Sequence, residues 1–272
     1  MKNAFIYPQF EENNEFLVSQ KNALASVGYN ISSYKKANLL VINWIENIYG
    51  YKLKSFYQFI ERLILLILSK IKAKKIIFYI HNIRPHRKSS SRPNIILSKI
   101  IFYITVIISD AIIYLSKDTK NYFPNLFKIF KKKLFYIPHP NMINLADINN
   151  IKFNKEKKLK LLFFGPILPY KGVKTLIKVM NQLKDKDIEL TVAGTCSKEM
   201  EKELNSLKRN HNIEFIFRYF DNYELQELFN KIDLAIFPLD IYSVLNSSSI
   251  ILTFSLGKTV LASEIGTLKE YP

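Results

Sequence analysis

The run Leu161-Leu162-Phe163-Phe164-Gly165-Pro166-Ile167-Leu168-Pro169-Tyr170-Lys171-Gly172 is an apolar segment that stops at a glycine and continues as a proline-stiffened loop carrying a lysine to a helix start. Leu161 to Phe164 read as a strand covered on both faces. Beyond the loop, Gly172-Val173-Lys174-Thr175-Leu176-Ile177-Lys178-Val179-Met180 repeats its apolar positions at helical spacing. Strand, loop and helix in this order belong to a parallel α/β sheet, whose ligands gather beyond the carboxyl ends of the strands, where helix N-termini offer free N–H groups to an anion. Lys171 therefore reads either as a phosphate-binding cation or as a solvated lysine in an ordinary turn.

The same alternation extends in both directions. Before the run, strands are predicted at Ala4–Tyr7, Leu39–Asn43, Ile76–Ile80, Ala111–Leu115 and Leu134–Ile137, with helices at Glu15–Val27, Lys54–Lys72, Asn94–Ile108 and Lys117–Phe130. After it, strands are predicted at Glu189–Ala193, Ile213–Phe217, Leu234–Phe237 and Thr259–Ala262, separated by helices at Val173–Lys184, Lys198–Asn210, Asn222–Ile232 and Ser247–Leu256. The periodicity stops after Pro138-His139-Pro140, and residues 144–158 read as a polar linker. The expected fold is α/β, two Rossmann-like domains at 1–143 and 159–272. The second is expected to be incomplete, because Gly266-Thr267-Leu268-Lys269-Glu270 should open a further helix just before the last residue, Pro272.

Composition bounds the class. With 272 residues and 48% hydrophobic content, the chain can bury two ordinary cores and is not disordered. One cysteine, Cys196, permits neither an internal disulfide nor a cysteine-based zinc cage, which suits the cytoplasm. The stretches around Leu63–Leu68 and Ile95–Ile108 fall short of a membrane span, leaving peripheral attachment open. Net charge is +17, and residues 1–150 carry +14 of it, 22 Lys and Arg against 8 Asp and Glu. A basic first half implies an anionic partner, nucleic acid or the headgroups of a membrane surface, or else a lysine-rich solvated face.

Several motifs together carry a family resemblance: Phe164-Gly165 with Tyr170-Lys171-Gly172, then Val192-Ala193-Gly194, Asp233 to Pro238, and Asn246-Ser247-Ser248 leading to Gly257-Lys258-Thr259-Val260. In this order they resemble the nucleotide-binding half of GT-B glycosyltransferases of the group 1 or family 4 kind. The first half resembles the acceptor domain of that family, with Tyr79-Ile80-His81-Asn82, Ser109-Asp110-Ala111 and Ile137-Pro138-His139-Pro140 at strand ends.

The resemblance implies transfer of a hexose from a UDP- or GDP-sugar to a polysaccharide or lipid-linked saccharide, without a metal ion, in a cytoplasmic protein that can sit peripherally at the membrane. Donor contacts would come from Gly165, Lys171, Tyr219, Asn246, Ser247, Ser248 and Glu270. The serines equally suit simple helix capping, Tyr219 core packing, and Glu270 the start of a helix. His81, at a strand end facing the expected cleft, would polarise or deprotonate a sugar hydroxyl, or else hold a structural hydrogen bond to Asn82 or backbone. Arg84 and His86 on the next loop would meet the acceptor. The chain departs from the family at Val244 and Leu252, where retaining members carry two glutamates, and at Pro166 or Ile167 instead of an arginine.

Asp185-Lys186-Asp187 imitates a metal-binding carboxylate pair but falls in a turn at the wrong sheet end. Only seven glycines and no G-x-G-x-x-G or HExxH leave dinucleotide, P-loop and zincin chemistry without their motifs. Two alternatives stand beside the transferase: an inactive truncated fragment of such an enzyme, and a basic module gripping nucleic acid. The aromatic residues lie mostly in apolar strands and helices, which disfavours the second, so no nucleic acid is expected as a partner.

Overall fold

A computed structural model of the chain describes residues 2–9, 14–48, 50, 52–72, 74–82, 92–142, 158–239 and 245–270. Its contacts form two compact units, Met1–Pro140 with Ser243–Asn246 and Lys269–Pro272, and Asn141–Tyr242 with Ser247–Leu268. The expected linker, 144–158, lies almost wholly outside the described residues.

The first unit runs β1 (Lys2–Tyr7), α1 (Glu15–Ser26), β2 (Tyr29–Ile31), β3 (Leu39–Asn43), α2 (Lys52–Ile71), β4 (Lys75–Ile80), α3 (Arg92–Ile108), β5 (Ala111–Tyr114), α4 (Thr119–Tyr122), α5 (Pro124–Ile129) and β6 (Leu134–Tyr136). All strands are parallel, in the order β2-β1-β3-β4-β5-β6. Every residue of β3 is buried, as expected for a central parallel strand with helices on both faces. One face packs Leu40, Ile42, Phe78 and Ile112 against Leu66, Ile101 and Phe102, and the other packs Ala4, Ile6 and Val41 against Phe16 and Leu17. Two elements depart from the sequence reading. The three-residue β2 was not foreseen, and the single helix expected over Lys117–Phe130 is two short ones, because Pro124 cannot donate the hydrogen bond a continuous helix needs there.

The second unit runs β7 (Leu159–Phe164), α6 (Val173–Gln182), β8 (Ile188–Ala193), α7 (Lys198–Leu207), β9 (Ile213–Ile216), α8 (Asn222–Asn230), β10 (Leu234–Phe237), α9 (Ser248–Ser255) and β11 (Thr259–Ala262). Its order, β11-β10-β7-β8-β9, is again parallel throughout. Helix starts carry their chemistry locally: Ser197 accepts from the Met200 N–H, and Asp221 with Glu224 forms a reciprocal cap on α8. The chain leaves β7 toward β8 and returns to its other side at β10, so the order reverses between β7 and β10. A sheet of this kind opens its ligand crevice at the carboxyl ends of those two strands.

Four described residues expected in the second domain belong to the first unit: Leu245, Asn246, Lys269 and Glu270. Leu245 is part of the first core. The Glu270 carboxylate accepts from the Ser116 hydroxyl (2.8 Å), the Lys117 N–H (2.6 Å) and the Tyr136 hydroxyl (2.6 Å), while Lys269 pairs with the buried Asp118 at 3.1 Å. Such contacts, more than a hundred residues apart in sequence, leave no periodic signal.

Candidate functional site

At the β7–β10 reversal three segments converge. Gly165, just past β7, has φ +115°, and a Cβ there would lie 2.3 Å from the Ser249 hydroxyl, so the strand end is pressed against the first turn of α9. Gly172 caps α6 in the left-handed region, and a Cβ would sit 1.8 Å from the Pro238 carbonyl oxygen at the end of β10. Neither position tolerates a side chain. The close approaches hold the Lys171 loop and the α9 tip over one edge of the sheet.

Lys171 ends a short 3-10 turn begun by Pro169. It is only 7% exposed, and its ammonium lies 5.9 Å from the centre of the Tyr170 ring. No carboxylate pairs with it among the described residues. Burial lowers its pKa from the ordinary value to about 8. The shift corresponds to a cost on the order of 3 kcal/mol for holding the charge there. That cost is complete below about pH 8 and disappears as pH rises toward the ordinary lysine value.

Ser247 is the N-cap of α9 in extended conformation, yet its side chain makes no capping bond. Its Oγ is buried and has no hydrogen-bond partner among the described residues. The first intrahelical bonds run from Ile250 and Ile251 back to the Ser247 carbonyl, so the N–H groups of Ser248 and Ser249 precede them. A lone cation, an idle hydroxyl and the positive end of a helix are thus gathered at a sheet reversal. Together they can hold a pyrophosphate.

The other predicted donor residues are placed as follows. Tyr219, beyond β9 in the same unit, is 70% exposed. Its neighbours are turned inward or engaged: Phe220 is buried under the Arg218 guanidinium at 4.3 Å, and Arg218 pairs with Glu224 at 2.7 Å. Asn246 sits in the first unit, where its amide donates to the His81 carbonyl at 2.9 Å, and Glu270 is held there as described above. Asp185 and Asp187 are exposed in the turn before β8, at the opposite end of the sheet. No group of three or more metal-ligating side chains occurs among the described residues.

In the first unit the carboxyl ends of β1, β3 and β4 carry a buried polar cluster. His81 is stacked on Trp44 (ring centres 4.2 Å apart) and meets Phe16 edge-on at 4.8 Å. Its Nε2 lies 2.9 Å from Asn43 Oδ1, rather than on Asn82, and Asn43 exchanges two amide bonds with Gln20 at 3.0 Å each. Trp44 is the one non-glycine residue with positive φ (50°) among those described, a strained conformation that places its ring over the imidazole. Arg84 and His86 lie outside the described residues.

Sequence reading missed Glu46. It is buried, its Oε2 has no partner among the described residues, and burial raises its pKa to about 7 against the opposing pull of its own backbone N–H and of Arg62. Arg62 is fixed by the Ile45 carbonyl (2.7 Å) and the Tyr7 hydroxyl (3.0 Å). Only the sequence Asn43-Trp44-Ile45-Glu46, an acid straight after a fully buried strand, could have signalled it.

Residues 146–271 match the family model of glycosyl transferases group 1. A GDP-mannose:glycolipid 4-beta-D-mannosyltransferase of Xanthomonas campestris pv. campestris is 29% identical over 105 residues, 38% of this chain and 30% of that protein. The chain therefore matches under a third of that relative's length. Among solved structures, Anabaena HepE in complex with UDP and glucose aligns with TM-score 0.62 at 13% identity, covering 99% of this chain and 82% of that one. An α,α-trehalose-phosphate synthase (UDP-forming) from Burkholderia vietnamiensis aligns with TM-score 0.65 at 8% identity, covering 99% and 84%. The fold is GT-B.

Two outcomes follow from the site. Gly172→Ala should lower stability by about 2 kcal/mol or more in chemical denaturation, since both φ and the Pro238 oxygen oppose a Cβ. Glu46 has a folded pKa above its ordinary value, so it costs stability progressively as pH rises from the usual carboxylate range through about 7. Glu46→Gln should therefore match wild type in Tm at pH 4.5 and exceed it at pH 8.

Proposed function

We propose that this chain, whose residues 146–271 match the family model of glycosyl transferases group 1 and whose fold is GT-B, moves a hexose from a nucleoside diphosphate sugar to a saccharide or lipid-linked saccharide acceptor. The observation that carries the reading is Lys171: a buried ammonium with no carboxylate partner among the described residues, at the same sheet reversal as a helix tip whose cap hydroxyl has no partner among them. A pyrophosphate supplies the missing charge.

Transfer breaks the bond between the sugar anomeric carbon and the phosphate oxygen, forms one to the acceptor oxygen, and leaves the nucleoside diphosphate with a new negative charge. Lys171, the N–H groups at the start of α9 and the Ser247 hydroxyl would stabilise that charge, which is largest as the leaving group departs. This is cationic and dipolar stabilisation, and we propose that the reaction needs no metal ion. Gly165 lets the first turn of α9 close on the strand end, and the exposed Tyr219 ring is a surface for the base. Structures bound to UDP support a uridine donor, and the Xanthomonas relative supports a guanosine one.

The acceptor proton must go to a base. His81 is proposed for this role, held in place by Asn43 and Trp44, and Glu46, with a pKa of about 7, is a second group able to take up a proton near neutrality. Arg84 and His86, which follow His81 in the chain, are proposed acceptor contacts. The single, half-buried cysteine suits work inside the cell, with the basic first half turned to an anionic membrane that carries the acceptor.

Isothermal titration with UDP, GDP and their sugars should show one binding site, weakened at least tenfold by Lys171→Met, while the apo Tm at pH 7 stays at or above wild type because a buried charge has been removed. Near pH 9, where the free lysine is largely neutral, binding should take up a proton, visible as a heat that changes with buffer ionisation enthalpy. Unchanged affinity in the variant would refute the reading.

A further inference from the structure

The two helices that follow β3 and β4 are apolar on both sides: Leu66, Ile101, Phe102 and Val106 enter the core, and a second apolar stripe faces outward. On α2, Leu53, Tyr57, Ile64, Ile67 and Ile71 are all exposed, Leu53 and Ile71 by 87% and 72%. At 100° per residue they fall within an arc of about 80°. The opposite side of the helix buries Ser55, Leu66 and Ser69. On α3, Ile96, Ile100, Tyr103 and Ile107 are exposed within an arc of about 60°, opposite the buried Ser98, Ile101 and Thr105. The helices pack side by side, so the two stripes lie on neighbouring elements of one unit. An ordinary soluble surface scatters its apolar side chains singly; nine large ones in register form a face built to be covered.

The charges around this face have a dominant sign. Lys54 and Lys72 flank the α2 stripe on one side and Lys70 on the other, while Lys99 borders the α3 stripe. The acids are Glu61, beside the α2 stripe, and Asp110, which pairs with Lys70 at 3.2 Å and Lys75 at 3.5 Å. A second copy of the chain would bring two basic rims together. Neither helix is long and apolar enough to cross a membrane.

Deepening the reading of an acceptor carried by a membrane, we infer that the α2–α3 face docks on an anionic bilayer. The helices lie in the plane of the interface. Isoleucine and leucine side chains enter the acyl boundary, Tyr57 and Tyr103 sit at headgroup depth, and the lysines meet lipid phosphates. Binding of this kind combines an apolar part that salt leaves intact with an electrostatic part that salt weakens.

The test is co-sedimentation of the full chain with phosphatidylcholine vesicles containing or lacking about a third phosphatidylglycerol, a composition at which headgroup charge dominates the surface potential. Wild type should bind the anionic vesicles at least tenfold more tightly, and part of that binding should survive 0.5 M salt. Ile67→Glu with Ile71→Glu, and separately Ile100→Glu with Tyr103→Glu, should each reduce it at least tenfold. Circular dichroism melts should be unchanged in both variants, which shows them folded, and unchanged nucleotide titration separates failure of docking from failure of the donor site. Equal binding of variants and wild type, or no preference for anionic vesicles, would overturn the inference. So would light scattering that finds wild type dimeric and the variants monomeric, since the face would then be a subunit contact.

Discussion

A lysine ammonium kept from water, with no carboxylate partner among the described residues, is the constraint on which the second unit turns. Removing a charge from solvent is costly, and an arriving opposite charge offsets that cost. Lys171 is held there by backbone geometry. Pro169 starts the 3-10 turn, Gly172 turns the chain back in a left-handed conformation, and the tight approach to Pro238 locks it against the neighbouring strand. Gly165 does the same for α9 by admitting Ser249 to the strand end. Cation and helix tip are thus preorganised by contacts too close for any other residue type. Stabilisation of a departing pyrophosphate then requires little reorganisation when charge develops.

The first unit solves a different problem, the fixing of an imidazole and a carboxyl in a largely apolar sheet end. The Gln20–Asn43–His81 chain satisfies its buried polar groups with one another, which orients the ring. Trp44 accepts backbone strain to stack on it. Glu46 is treated oppositely. One of its oxygens lacks a partner among the described residues, so the neutral acid is favoured and its proton is exchangeable near neutral pH. Two ionisable groups in unlike surroundings give this sheet edge both an ordered ring and a carboxyl poised to titrate.

Much of the architecture could be read from residue order, because parallel strands announce themselves as unbroken apolar runs. Leu39–Asn43, Leu234–Phe237 and Thr259–Ala262 appear with the expected bounds, and the Lys171 loop lies where strand and helix periodicities meet. What escaped was short or distant. Tyr29-Asn30-Ile31 is too brief to show alternation, and its pairing with β1 is decided by the sheet. Helical spacing over Lys117–Phe130 concealed the break that Pro124 imposes. Glu270 and Asn246 entered as donor contacts through the family resemblance, and the hydrogen bonds that hold them run to Ser116, Tyr136 and His81, partners over a hundred residues away that no local pattern announces. The exposed faces of α2 and α3 carry a helical period in sequence, but period alone does not tell which stripe is buried. Here both sides are apolar, with Leu66, Ile101 and Val106 buried beside serines and a threonine and a second set of isoleucines exposed.

The most direct measurement of the central claim is the pKa of the Lys171 ammonium, followed by NMR of a specifically labelled side chain with and without nucleoside diphosphate. The account gives about 8 for the free protein and a return toward the ordinary lysine value once a pyrophosphate sits beside it. An ordinary value in the free protein, or one that saturating nucleotide leaves unmoved, would contradict it.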